Sequence, residues 1–178
     1  MKPGHILATT GYFGLTSVGF TYLINGIEPQ KDVKQPALDA VYMPKARVSE
    51  GVALAKTGAV SGCMDSSDGL SVSLYDLRRS TGYGFVVDDP PIHSLALKYA
   101  ERKGLDPVSL AFNGGEEYEL VFTYPPGKAS KVRAALKSVG CELLNIGVVT
   151  ESKEIVYRRQ DKLVSIKKGG WNHFTGQK

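Results

Sequence analysis

Two carboxylates and a pair of hydroxyls lie within four positions of each other in Cys63-Met64-Asp65-Ser66-Ser67-Asp68-Gly69-Leu70. The apolar run over residues 58–64 reads as a strand that ends in a carboxylate. After the Ser-Asp-Gly turn, Leu70, Leu74 and Leu77 fall on one face of a helix over residues 68–80, closed by Thr81-Gly82. A strand-to-helix junction of this composition gathers carboxylates that suit Mg²⁺ with helix N-terminal N–H groups that suit phosphate oxygens. The alternative is that Asp68 or Ser67 only caps the helix, which contributes ~1 kcal/mol.

A second stretch of unusual composition is Phe112-Asn113-Gly114-Gly115-Glu116-Glu117-Tyr118-Glu119-Leu120-Val121-Phe122-Thr123. A glycine pair precedes Glu116, Glu117 and Glu119, which run into an alternating strand. This is either a plain turn with a polar edge strand or a ligand-holding turn with Glu116 beside free backbone N–H groups. Glu119 falls in an otherwise buried pattern, where an unpaired carboxylate is costly. A third stretch, Gly169-Gly170-Trp171-Asn172-His173-Phe174, sets the only tryptophan beside glycines. It suits a hydrophobic tether or a stacking lid over a flat heterocycle.

The elements that must position these residues alternate between strand and helix. Residues 6–10 read as a first strand. A glycine-bearing turn, Gly11 to Ser17, then feeds a helix through about residue 24 with Val18, Tyr22 and Leu15 inward. Residues 25–44, punctuated by Gly26, Pro29, Pro36 and Pro44, read as an irregular loop. A helix over 45–56 follows, with Val48, Val52, Leu54 and Ala55 on its apolar side. Further on come a strand over 84–88 and a helix over 93–103, in whose first turn His93 is a surface residue without a catalytic role. A helix over 127–139 and strands over 143–149, 155–157 and 163–166 complete the chain. The irregular alternation implies one α+β domain over residues 1–178, a layered mixed β-sheet with flanking helices.

Composition bounds the function. The 178 residues are 42% hydrophobic and 22% charged, values of an ordinary soluble globular protein. No apolar run approaches the ~20 residues of a membrane span, and Met1-Lys2-Pro3-Gly4 leads straight into a strand without a signal peptide. Cys63 and Cys141 sit in apolar sequence and are expected to be reduced, buried thiols, which implies the cytoplasm. The net charge is +4, with Arg158, Arg159, Lys162, Lys167 and Lys168 grouped near the C-terminus. This reads as a solvated face, since no aromatic residues interleave with it as on a nucleic-acid platform. No nucleic-acid or membrane partner is expected.

Taken in order, Asp65-Ser66-Ser67-Asp68-Gly69-Leu70, Gly114-Gly115-Glu116-Glu117-Tyr118-Glu119-Leu120 and Gly170-Trp171-Asn172-His173-Phe174 resemble the C-terminal half of thiamine-monophosphate kinase, in the aminoimidazole ribonucleotide synthetase superfamily. Lys2-Pro3-Gly4-His5-Ile6-Leu7, Thr10-Gly11-Tyr12-Phe13-Gly14 and Met43-Pro44-Lys45-Ala46-Arg47 are similar to that family at the matching positions. The Asp-x-Ser-Asp-Gly-Leu element is shared across the superfamily, whereas the Gly-Gly-Glu-x-Tyr-Glu-Leu and Trp-x-His-Phe elements point to this kinase.

The resemblance implies transfer of the γ-phosphoryl group of ATP to thiamine monophosphate, with Mg²⁺ and without a covalent intermediate. It implies Asp65 and Asp68 as Mg²⁺ ligands, Ser67 as an ATP-phosphate contact, Glu116 as a contact to the thiamine moiety and Trp171 stacked on it. It also implies an acidic N-terminal half as partner, carrying further metal ligands, an ATP-binding arginine and the strands of a homodimer. On that expectation the chain is a domain fragment or one product of a split gene, and inactive alone. The sequence departs from the family at Leu15-Thr16, where an Asp-Ser is usual, at Ser73, where an acidic residue is frequent, and at Glu117, where an Asp is usual. Two other readings stay open: another superfamily activity (ribonucleotide cyclo-ligase, selenophosphate or hydrogenase-maturation type), and a non-catalytic partner-binding domain of the same fold.

Overall fold

The structure is a computed structural model that describes residues 1–169. Among them, β1 (Ile6–Thr9), β2 (Gly62–Ser66), β3 (Gly84–Val87), β4 (Glu119–Tyr124), β5 (Leu144–Thr150), β6 (Ile155–Arg159) and β7 (Lys162–Ser165) form one sheet in the order β2-β4-β1-β5-β3-β6-β7. Only β3 and β6 pair in parallel, so the sheet is mixed, as expected. Its helices are α1 (Leu15–Asn25), α2 (Lys31–Tyr42), α3 (Val48–Lys56), α4 (Leu70–Thr81), α5 (Ser94–Lys103), α6 (Pro107–Asn113) and α7 (Ala129–Lys137).

Strand periodicity divides the core. Leu7 and Val121 face the side covered by the Leu70, Leu74 and Leu77 stripe of α4, together with Phe85 and Val87. Ala8, Phe122 and Tyr124 face the other side, under Leu54 of α3 and Val132 and Leu136 of α7. Each such fully buried leucine contributes roughly 1.5–3 kcal/mol. A third cluster, Val18, Val33, Ala37, Ala96 and Tyr99, joins α1, α2 and α5.

Four expectations need correction. Residues 25–44 are not an irregular loop, because α2 occupies most of them with Pro36 inside it. Val33 and Ala37, one turn apart, are completely buried, and a Cβ on Gly19 of α1 would stand 2.5 Å from the Ala37 carbonyl oxygen. That close helix contact outweighs the amide lost at Pro36, a change that in itself costs ~3 kcal/mol.

The helix expected over 45–56 begins at Val48, and its inward residues are Leu54 and Glu50 rather than the valines. Val48 is 70% exposed, because an ion pair between Arg47 and Glu50 sets the rotation of the helix. Cys63 is exposed on edge strand β2 and Cys141 half-buried, and both are free thiols. Finally, α6 was not anticipated. It is a seven-residue helix with Pro107 at its start, and Asp106 accepts a hydrogen bond from the Ser109 amide. No helix among the described residues is long and apolar enough to cross a membrane.

Candidate functional site

β4 runs antiparallel to both β1 and β2, so the C-terminal ends of those two strands and the N-terminal end of β4 share one end of the sheet. Three turns leave from there: residues 10–14, 67–69 and 114–118. The last two are stitched together by backbone. Tyr118 N–H donates to Ser66 O at 3.0 Å and Glu116 N–H to Ser67 O at 2.7 Å. Gly69, at φ 107°, comes so near Gly114 that a Cβ on it would lie 2.2 Å from that carbonyl oxygen. Only glycine allows both that φ and that contact.

The fold therefore brings Asp65, Ser67, Asp68 and Glu116 to one place. Asp65 is exposed on edge strand β2 and Asp68 is half-buried. Neither carboxylate has a hydrogen-bond or ion-pair partner among the described residues. Asp65 lines an open cleft of about 500 Å³ with Tyr118, Leu120, Arg47, Val48 and Pro44. Glu116 and Tyr118 are both left-handed, with φ of 65° and 52°. Strain of this kind, on the order of 1–3 kcal/mol per residue, persists only where the surroundings impose it and clusters at functional sites. The Tyr118 hydroxyl donates to Glu116 Oε2 at 2.5 Å. That bond, with partial burial and the nearby charges of Glu116, Asp65 and Asp68, raises the tyrosine pKa.

The capping alternative for this turn is overturned. The N-cap of α4 is Gly69, in a conformation (φ 107°, ψ 156°) that turns the preceding residues away, and no side chain caps the helix. The N-terminus of α4 thus lies beside two unpartnered carboxylates and is free of a side-chain cap. Ser67 uses its carbonyl to hold the Glu116 turn, and its hydroxyl has no partner among the described residues. Trp171 lies outside the described residues. The last of them, Gly169, exchanges hydrogen bonds with Ser71 Oγ in the first turn of α4.

The two carboxylates fit Mg²⁺ in chemical type and in number. That ion takes one or two protein carboxylates and completes its shell with water and phosphate oxygens. Among the described residues no group of three or more His, Cys, Asp or Glu is placed to hold a metal. What the described residues offer is a pair.

Behind the turns lies an ion network that sequence reasoning missed. Arg47 Nη1 reaches Glu50 Oε1 at 2.9 Å and Nη2 reaches Glu119 Oε1 at 2.5 Å. Glu119 Oε2 accepts from Thr10 Oγ1 at 2.6 Å. The carboxylate expected to be costly in a buried strand is paired on both oxygens. Burial alone would push the Glu50 pKa up, but hydrogen bonds from Ser49 and Arg47 hold it below the ordinary value. Only the burial of Glu119 hinted at this network, since nothing in the chain marks Arg47, 72 positions away, as its partner. Glu117 differs from its neighbours: burial, with the nearby charge of Glu119, pushes its carboxyl up to about 8, against the pull of the Gly14 amide.

Comparison with known proteins returns the same family that the motifs suggested. The chain is 34% identical over 169 residues to the thiamine-monophosphate kinase of Nitrosopumilus maritimus, a match over 95% of this chain and 53% of the kinase. The chain spans about half the length of the curated relatives it matches, which is consistent with a C-terminal half. The fold matches AaThiL complexed with AMPPCP and TMP, with a TM-score of 0.78 at 23% identity, over 98% of this chain and 52% of that one. It also matches E. coli HypE, a hydrogenase maturation protein, with a TM-score of 0.75 at 20% identity, over 94% of this chain and 50% of that one. At these identities the structural matches show the fold, whereas the sequence match is to thiamine-monophosphate kinases. No protein-family model matches the chain.

Proposed function

With its likeness to thiamine-monophosphate kinases as the premise, we propose that this chain is the substrate- and metal-contributing half of such a kinase. The reaction is direct transfer of the ATP γ-phosphoryl group to thiamine monophosphate, giving thiamine diphosphate. The observation that carries this reading is the convergence of the Asp65–Gly69 and Gly114–Tyr118 turns at one end of the sheet, with two carboxylates left unpartnered among the described residues. A thiamine-monophosphate kinase relative at 34% identity and a like-folded protein complexed with AMPPCP and TMP support the choice of substrates.

In this reading Asp65 and Asp68 hold Mg²⁺, which neutralises charge on the transferring phosphoryl group. The chain's own groups bind and orient. Ser67 and the first N–H groups of α4 take phosphate oxygens. Glu116, fixed by its backbone bond to Ser67 and by Tyr118, takes a donor group of the thiamine moiety. Trp171 supplies a stacking surface. No side chain need form a bond to phosphorus, because positioning and charge neutralisation are the catalysis in phosphoryl transfer. The site is completed by an acidic N-terminal half, in cis or in trans, which supplies the remaining ATP and metal contacts. The complete enzyme is a homodimer acting in the cytoplasm.

The direct test adds the missing half, cloned from a relative, to the purified chain with ATP, Mg²⁺ and thiamine monophosphate. Thiamine diphosphate is expected to form. Asp65→Ala and Asp68→Ala are each expected to lower the rate by about a hundredfold or more, in keeping with the several kcal/mol that a metal supplies. Unchanged rates in both variants would remove the metal assignment.

A further inference from the structure

Glu117 sits between two left-handed residues, yet its side chain goes the other way. Glu116 and Tyr118 lie on the side of Asp65 and Asp68, whereas Glu117 lines a separate cavity of about 450 Å³ with Tyr12, Thr16, His93 and Glu119. Its Oε1 accepts the Gly14 amide at 2.5 Å. Gly14 is the N-cap of α1, and that cap has no side-chain partner of its own. Glu117 therefore caps α1 from another part of the chain, 103 positions away. The residue as a whole is half-buried, but its carboxyl is closed in: Oε2 has no solvent contact and no hydrogen bond, like the neighbouring Thr16 Oγ1.

We infer that Glu117 is a positioning residue: its inward carboxyl, fixed on the Gly14 amide, holds the turn in the form that presents Glu116 and Tyr118 toward Asp65 and Asp68. The geometry leaves few other ways to keep two consecutive-but-one residues at positive φ. Among the described residues, the turn's backbone is tied to the end of β2 and the residue after it at the Glu116 and Tyr118 amides, that is, on either side of Glu117. A side chain anchored on the opposite side converts those two ties into a three-point hold. Without the anchor, Glu116 and Tyr118 would relax to ordinary backbone and release their strain. The importance of this for substrate rests on the proposed role of Glu116, but the positioning itself does not.

The charge state sharpens the choice of variants. A carboxyl pushed up to about 8 is largely protonated at neutral pH, so glutamine is its near-isostere and alanine removes the anchor. The test is NMR on the 178-residue chain at pH 7, with folding checked by circular dichroism. Wild type and Glu117→Gln are expected to show the strong intraresidue HN–Hα cross-peaks that positive φ produces at Glu116 and Tyr118, and a protected Gly14 amide. In Glu117→Ala both cross-peaks should weaken and Gly14 exchange should speed up about tenfold, the loss of one hydrogen bond.

A folded Glu117→Ala that keeps both cross-peaks overturns the inference. If Glu117→Ala does not fold, the other two proteins decide: an unprotected Gly14 amide in wild type, or lost cross-peaks in Glu117→Gln, overturns it equally. Titration with thiamine monophosphate separates the two readings. Should the cross-peaks respond as expected while ligand leaves the wild-type Glu116 signals unmoved, the positioning role stands and the substrate role of Glu116 falls.

Discussion

At the scale of the residue, Glu117 makes a claim about stability as well as about geometry. Burial sets its folded pKa near 8, above the 4.5 of an ordinary glutamate. A raised folded-state pKa means that the native state holds the proton more tightly than the unfolded chain. The contribution of Glu117 is therefore fully present below the unfolded value and is lost as pH rises from there through the folded value. Between those limits wild type is expected to lose stability relative to Glu117→Gln by about 1.4 kcal/mol per pH unit. Urea unfolding of both proteins between pH 5 and 8 reads this directly, and parallel pH profiles would show that the carboxyl titrates normally. The sequence marked Glu117 only as a departure from a usual aspartate. It gave no sign that this acid points away from its neighbours, because a left-handed backbone on both sides of a residue leaves no pattern in residue types.

At the scale of the element, α3 and β4 are fastened by Arg47. Its guanidinium spans Glu50, which is 1% exposed, and Glu119 in the first position of β4. Removing one member of such a buried network leaves charge without a partner, which costs about 3–5 kcal/mol. Arg47→Met is expected to lower the unfolding free energy by that amount, read as a lower urea midpoint with little change in slope. Adding Glu119→Gln to Arg47→Met should recover part of the loss, since one of the stranded carboxylates is then gone. If Arg47→Met is as stable as wild type, the network does not fasten the helix.

The same element shows the limit of periodicity. Val48 and Val52 have the spacing of an inward stripe, but the ion pair rotates them to the surface and brings Glu50 in. By contrast, the Leu70, Leu74 and Leu77 stripe of α4 is legible, because the residues buried beside it, Ser71 and Ser73, are small and carry no charge that must find a partner. The helix α2 was hidden by Pro36, whose local cost is met by contacts with Gly19 and Val18 that lie outside any window of sequence.

At the scale of the whole molecule, the site is one-sided. Two carboxylates, one uncapped helix N-terminus and the strained Glu116 turn all lie at the same end of the sheet, while the relatives it matches are about twice as long. If the chain is half of such a kinase, as proposed, its ATP and metal site is incomplete and binds the transition state poorly, so the 178-residue chain by itself is expected to yield no thiamine diphosphate above background. Robust turnover by the purified chain would show that the second half is unnecessary. The assay is simple: the product is followed chromatographically at high enzyme concentration with Mg²⁺ and ATP.

The sequence by itself determined the mixed α+β architecture, most strands and helices, and the stretches from which the site is made. Those depend on local alternation, on glycine turns and on ordered motifs, all of which are written in neighbouring residues. The tertiary structure alone decided that neither Asp68 nor Ser67 caps α4, and that Asp65 and Asp68 are unpartnered among the described residues, because the outcome turns on the conformation of Gly69. It alone paired Glu119 with Arg47 and turned Glu117 toward Gly14, since hydrogen bonds across 72 and 103 positions are chosen by the sheet's register and not by spacing along the chain.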